Sequence, residues 1–249
     1  MYIDFHNHLD FYKKDFIYEA INDINKNNIK TVACSMDLNS YNKNIELVKD
    51  SKFIIPTFGV HPSRAFEFID KIDELEEFVK QTPIIGEVGL DFYWVEDKNT
   101  YKSQIQIFET FLKYANKYNK YINIHTKGAE ELVLELIKKY NLSEQSIIHW
   151  YSGDKNTLNK LIDAKCYFTA SVDLPYSEKS REIAKSIPIS KLLGETDGPT
   201  ALEWINGEYG MPSEIINVYK HICEIKNIDI NEYKLNCKNT LTKMIKEYI

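Results

Sequence analysis

The chain has 249 residues, with 31 basic against 37 acidic side chains and a formal net charge of −6 at neutral pH. That balance excludes the broad basic footprint with which most nucleic-acid-binding proteins hold a polyanion, unless bound cations alter it locally. The four cysteines, Cys34, Cys166, Cys223 and Cys237, form no CxxC pair, which excludes a zinc knuckle or disulfide framework and points to reduced thiols in a cytoplasmic protein.

The chain reaches Asp4 without a basic region and apolar run, and no apolar stretch of about 18 residues occurs, so neither a signal peptide nor a membrane span is expected. No Pro/Gly/Ser linker or charge block divides it, and its length suits a single domain over 1–249.

The first predicted strand is IDFHNH at 3–8. Alternate side chains of a strand share a face, so Asp4, His6 and His8 point one way while Ile3, Phe5 and Asn7 point the other. Further strands are predicted at TVACSM (31–36), FIIPTFGVH (53–61), IIGEVGL (84–90), YINIHT (121–126), SIIHWY (146–151), YFTASVDL (167–174) and KLLGETD (191–197). Helices alternate with them, most clearly over 98–118 and 128–140, where Val133, Leu136, Ile137 and Tyr140 recur at helical spacing. A further helix pair at 212–226 and 230–248 closes the chain. This alternation predicts an α/β fold, a TIM-type (β/α)8 barrel with additional C-terminal helices, whose chemistry belongs at the carboxyl ends of the strands.

Five of the six histidines meet that expectation: His6 and His8 end strand one, His61 ends strand three, His125 strand five, and His149 lies late in strand six. His221 falls in a surface helix. Glu87 in strand four and Asp197 at the end of strand eight add two carboxylates to the same rim. Any one histidine is explained by strand-end capping, but a set drawn from several strands to one rim is not. Mixed imidazole and carboxylate donors without thiolate suit divalent Zn, Mn, Ni or Mg, and six donors exceed the three that one catalytic zinc takes from protein. Two ions share them sensibly, with His6, His8 and Asp197 on one, His125 and His149 on the other, and Glu87 bridging. Such a pair suits phosphodiester cleavage, and it equally supports hydrolysis of a small ester or amide.

Taken in order, IDFHNHLD, GVHP, IGEVGLDFY, NIHTKGAEE, HWYSG and LLGETDGP resemble the TatD family of metal-dependent deoxyribonucleases, and the late NCKNTLTKM resembles that family's closing helix. The resemblance implies a TIM barrel, a divalent-metal site at His6, His8, Glu87, His125, His149 and Asp197, and 3′-to-5′ exonuclease or related phosphodiesterase activity on DNA. The chain departs from the family pattern at Ser63, where a second histidine often follows GVHP, and at TALEWINGEYGMP, where basic residues are common. The HW of HWYSG and the TDGP form also resemble the TatD-like component of an anti-phage defence system, which would imply protein partners in a complex. A rim with few basic residues offers little grip on duplex, so single-stranded or frayed DNA ends are the expected substrate.

Glu195, two positions before Asp197, either orients or deprotonates the attacking water or is a buried hydrogen-bond partner of a ligand. Asp4 stands in the same relation to His6. Lys127 reads either as a substrate-phosphate contact or as a solvated loop lysine. Tyr93 and Trp94 read as loop packing or as a surface on which an unpaired base stacks. His61, surplus to both ions, is assigned to the substrate phosphate, held by Pro62 over the pocket mouth, with an ordinary pKa that allows a charge-assisted hydrogen bond at mildly acidic pH. Asp197, Glu87 and Glu195 are then the catalytic carboxylates.

Overall fold

A computed structural model describes residues 1–248. Among them are eight parallel strands, β1 (Tyr2–Asn7), β2 (Ile29–Ala33), β3 (Ile54–Pro56), β4 (Ile85–Asp91), β5 (Ile122–Lys127), β6 (Ser146–Ile148), β7 (Tyr167–Ala170) and β8 (Leu192–Gly194). They form two arcs, β1-β2-β3 and β4 through β8. A parallel bridge between Phe58 and Ile85 joins the arcs at one seam. At the other, the Asp197 N–H donates to the His6 carbonyl and the His8 N–H to the Gly198 carbonyl, both at 2.9 Å. The result is a TIM-like α/β fold, as the alternating pattern predicts.

The outer layer is α1 (Ile17–Asn27), α2 (Leu38–Leu47), α3 (Leu75–Gln81), α4 (Tyr101–Lys117), α5 (Glu130–Lys139), α6 (Lys155–Asp163), α7 (Glu178–Ser186) and α8 (Thr200–Asn206), followed by α9 (Ile215–Lys226) and α10 (Ile230–Met244). α4 shows why these segments are helices. Its buried apolar residues, Ile107, Phe108, Phe111, Leu112 and Ala115, recur every three or four positions and cover the strands with one stripe, at whose start the buried Gln104 adds a polar contact. Aspartate or serine side chains cap α2, α6, α7 and α10, accepting first-turn N–H groups. The two added C-terminal helices lock the β1–β8 side. Tyr219 of α9 donates its hydroxyl to the Ile3 carbonyl at 2.9 Å and accepts the Ile3 N–H at 3.1 Å, while Tyr233 of α10 donates to the Leu192 carbonyl.

Five strands, β2, β3, β6, β7 and β8, end three or more residues earlier than the sequence predicts, and at β3, β6 and β8 the local backbone gives the reason. Beyond β3 the chain leaves the ladder, Gly59 pressing so closely on Glu87 that a Cβ there would lie 2.4 Å from its carbonyl oxygen, and His61 stands five residues past the strand. Trp150 and Asp197 take left-handed φ angles of 35° and 47°, which a strand cannot continue, so His149 and Asp197 are presented from turns just past β6 and β8.

Candidate metal centre

The alternation read in β1 holds for the two histidines and fails for Asp4 and Asn7, expected on opposite faces: the Asn7 amide donates to the Asp4 carboxylate at 3.3 Å, across a register shift between the two. His6 and His8 share a face and bring their Nε2 atoms to 3.1 Å from each other. Glu87, from β4, projects between the histidines. Its Oε2 lies 3.5 Å from His6 Nε2 and 3.2 Å from His8 Nε2, and its Oε1 lies 3.0 Å from His125 Nδ1 and 4.0 Å from His149 Nε2. Asp197 Oδ1 lies 3.6 and 3.5 Å from the same His6 and His8 nitrogens, and its Oδ2 lies 3.8 Å from His149 Nε2. All six sequence-predicted ligands therefore meet in one cage, and all are buried. Burial disfavours the Glu87 carboxylate, yet the surrounding imidazoles, His6 foremost, outweigh it and hold its pKa well below the usual carboxylate range.

The donor set fits divalent ions on two counts. A tetrahedral centre with bonds of about 2.0–2.1 Å spaces its donors roughly 3.3 Å apart. The five contacts among His6, His8, Glu87 Oε2 and Asp197 Oδ1 span 3.1–3.6 Å. The second count is the outer nitrogen of each ring. His6 Nδ1 donates to Asn123 Oδ1 at 3.0 Å, an orientation fixed by the Asn123 amide donating to the Phe5 carbonyl. His149 Nδ1 donates to Glu195 Oε2 at 2.8 Å, and His125 Nε2 to Asp91 Oδ2 at 3.0 Å. Each of the three rings is thereby left with its other nitrogen turned into the cage, Nδ1 for His125 and Nε2 for His6 and His149.

Asn123 and Asp91 were not singled out as ligand partners from the sequence. Asn123 carried a signal, since it precedes His125 by two positions and so shares its face of β5. Asp91 carried a weaker one, lying four positions after Glu87 and so on its face of β4, but its partnership with His125 depends on the pairing of β4 with β5, where Gly89 stands opposite His125 and Asp91 opposite Lys127. That close pairing requires glycine: a Cβ on Gly89 would sit 1.9 Å from the His125 carbonyl oxygen.

The remaining candidates divide. Glu195 is wholly buried behind His149, and burial pushes its carboxyl up to about 7. Asp4, likewise buried, is pushed up to about 7 and pins the seam by accepting from the Thr196 N–H and hydroxyl at 3.0 and 2.6 Å. Lys127 sits at the rim with its Nζ 2.7 Å from Ser152 Oγ and 5.7 Å from the centre of the Trp150 ring. Burial lowers its pKa against the pull of Asp197, Glu130, Glu195 and Asp173.

His61 requires a correction. It is buried beside His125, ring centres 4.6 Å apart, with Nε2 3.8 Å from Glu87 Oε1. Burial pushes its pKa down to about 3, so the ring stays neutral at mildly acidic pH and the expected charge-assisted bond does not form. Its Nδ1 accepts the Ser63 N–H at 3.2 Å, which places the ring proton on Nε2, facing the cage.

The family model described as TatD related DNase matches residues 3–246. Proteins named as uncharacterised metal-dependent hydrolases from Buchnera aphidicola and Methanocaldococcus jannaschii are each 28% identical, over 92% and 95% of this chain and 93% and 96% of their own. The crystal structure of a TatD homologue from Escherichia coli superposes with a TM-score of 0.87 at 19% identity, covering 98% of both chains. A TatD family hydrolase from Entamoeba histolytica gives 0.81 at 21% identity over 98% of this chain and 97% of its own. At these identities the two structures establish the fold alone. No helix among the described residues is long and apolar enough to cross a membrane.

Proposed function

Because the chain belongs to the TatD related DNase family of metal-dependent hydrolases, we propose that it is a single-domain nuclease that hydrolyses DNA phosphodiester bonds as a 3′-to-5′ exonuclease. One observation carries the reading. The two oxygens of Glu87 face different donors, Oε2 the His6–His8 pair and Oε1 the His125–His149 pair. That arrangement supports a reading with two divalent ions, of Mg, Mn or Zn: His6, His8 and Asp197 would hold the first, His125 and His149 the second, and Glu87 would be available to both. Bound there, the ions would supply Lewis-acid stabilisation of the phosphoryl charge.

The chain's own side chains supply the rest. Asp197, held at a left-handed turn, orients the attacking water and accepts its proton as the water oxygen adds to phosphorus and the P–O3′ bond breaks, the departing O3′ taking up a proton to leave as the 3′-hydroxyl. The neutral His61 donates Nε2–H to a non-bridging phosphate oxygen. Lys127 leaves Ser152 to pair with the substrate backbone. Glu195 keeps the His149 tautomer that points Nε2 inward. Single-stranded or frayed ends are the favoured substrate, since a rim with few cations grips duplex poorly. The cytoplasm is the compartment this reading favours, supported by four free, buried cysteines.

The test is digestion of 3′- and 5′-labelled single strands, blunt duplexes and closed circles with Mg, Mn or Zn. Stepwise loss from the 3′ end of single strands is expected. Efficient nicking of closed circles would overturn the exonuclease reading. Hydrolysis of carboxylic esters without any cleavage of DNA would overturn the nuclease.

A further inference from the structure

Asp91 divides its carboxylate between two tasks. Oδ2 accepts from His125 Nε2 at 3.0 Å, while Oδ1 accepts the N–H groups of Tyr93 and Trp94 at 3.0 and 2.7 Å. The loop after β4 is thus fastened to a cage histidine through one side chain. It is fastened elsewhere too: the Phe92 N–H donates to the Lys127 carbonyl at 2.8 Å, Phe92 stacks on Tyr101 with ring centres 4.0 Å apart, and Gln104 holds both the N–H and the carbonyl of Asp91. Yet the side chains this scaffold carries are exposed, 67% for Tyr93 and 69% for Trp94, and meet each other edge to face at 4.8 Å. Two rings held on a rigid backbone and left in water gain nothing for the fold, since exposed aromatic surface forgoes the burial that stabilises a core.

We infer that Tyr93 and Trp94 form a stacking platform for one unpaired nucleobase of the strand whose phosphate enters the cage. Stacking uses the π-face common to all bases and needs no positive charge, which suits a chain carrying a net charge of −6. The backbone is already ordered by Asp91, so little conformational freedom is lost when a base lands there. The Phe92 N–H donates to the Lys127 carbonyl, so the loop that carries the platform is joined to the main chain of the residue assigned above to the backbone phosphate. The inference rests on the nuclease reading and adds to it what selects a single strand: a base paired in a duplex has no free face to offer.

The test is a thermodynamic cycle on the full-length protein. Binding is measured by anisotropy with a labelled single-stranded oligonucleotide and with versions carrying one abasic residue at each of the last four positions. An abasic residue at one position should weaken binding to the wild type about tenfold. Trp94→Ala should weaken binding of the intact strand by a similar factor and be indifferent to the abasic residue, with Trp94→Phe restoring most of the loss; Tyr93→Ala should show the same pattern. Tyr18, equally exposed but on α1, is the control, and Tyr18→Ala should leave every affinity unchanged. Equal binding of intact and abasic strands by the wild type and both alanine variants would overturn the platform while leaving nuclease activity standing. A clear cycle in a protein that cuts no DNA with any metal would overturn the nuclease reading and keep the platform.

Discussion

The backbone N–H of Asp197 donates to the carbonyl of His6 at 2.9 Å, so two ligands 191 positions apart are joined through their main chains as well as through the site they share. The positions of their side chains are therefore set by the seam that closes the fold, and small changes at that seam reach the chemistry directly.

Glu87→Gln should abolish hydrolysis and lower the occupancy of both ions, because Glu87 Oε2 faces the His6–His8 pair while its Oε1 lies 3.0 Å from His125. Elemental analysis of the purified variant decides the matter. Two metal equivalents with near-normal turnover would remove Glu87 from the bridging role.

His61→Ala should keep both ions and lose about tenfold or more on phosphodiesters, the equivalent of one hydrogen bond to a charged group. With its pKa near 3, His61 should add no inflection to the rate profile between pH 5.5 and 7. Loss of one metal equivalent would make His61 a ligand, a role its 3.8 Å approach to Glu87 leaves within reach.

Asp91→Asn should weaken divalent-metal affinity roughly 10- to 100-fold, as removal of a ligand's orienting partner typically does. An amide still accepts the Tyr93 and Trp94 N–H groups, so the loop should stay folded. Unchanged metal affinity by competition with a chelating dye would deny Asp91 its hold on His125.

Metal affinity should climb with pH. Burial, the largest influence on His125, disfavours its imidazolium, but hydrogen bonds to Asp91 and Glu87 outweigh it and raise the pKa to about 9 in the metal-free cage. The sign follows: below pH 9 His125 carries a proton that a metal must displace, so each unit of acidification costs about tenfold in apparent affinity for that proton alone. Calorimetric titration at pH 7 in buffers of different ionisation enthalpy should register at least one proton released per chain. No release would contradict the raised pKa.

Tyr219→Phe should destabilise the protein by about 1–3 kcal/mol, since it strips a partner from both the N–H and the carbonyl of buried Ile3. Thermal denaturation of the metal-loaded and chelated protein would measure it. An unchanged midpoint would mean that β1 is held without α9.

What was legible in the sequence is what depends on local rules. Period-two alternation placed His6 and His8 on one face, and the alternation of strands with helices placed His125, His149 and Asp197 at one end of the fold. Strand lengths were less legible, because the left-handed turns at Trp150 and Asp197 involve residues that ordinarily avoid that conformation. Least legible were relations set by pairing between strands. The bond from Asp91 to His125 depends on the register of β4 against β5, and the burial of His61 on the helical turns of Pro62–Glu74 that follow it.

The seam also dictates a timetable for synthesis. His6 and His8 leave the ribosome 191 and 189 positions ahead of Asp197, for which the pocket they belong to must wait, and β1 waits longer still for Tyr219 to hold Ile3. Until then the growing chain carries exposed histidines and a first strand paired along one edge alone, with β2, so closure depends on contacts of large sequence separation, which are the slowest kind to form.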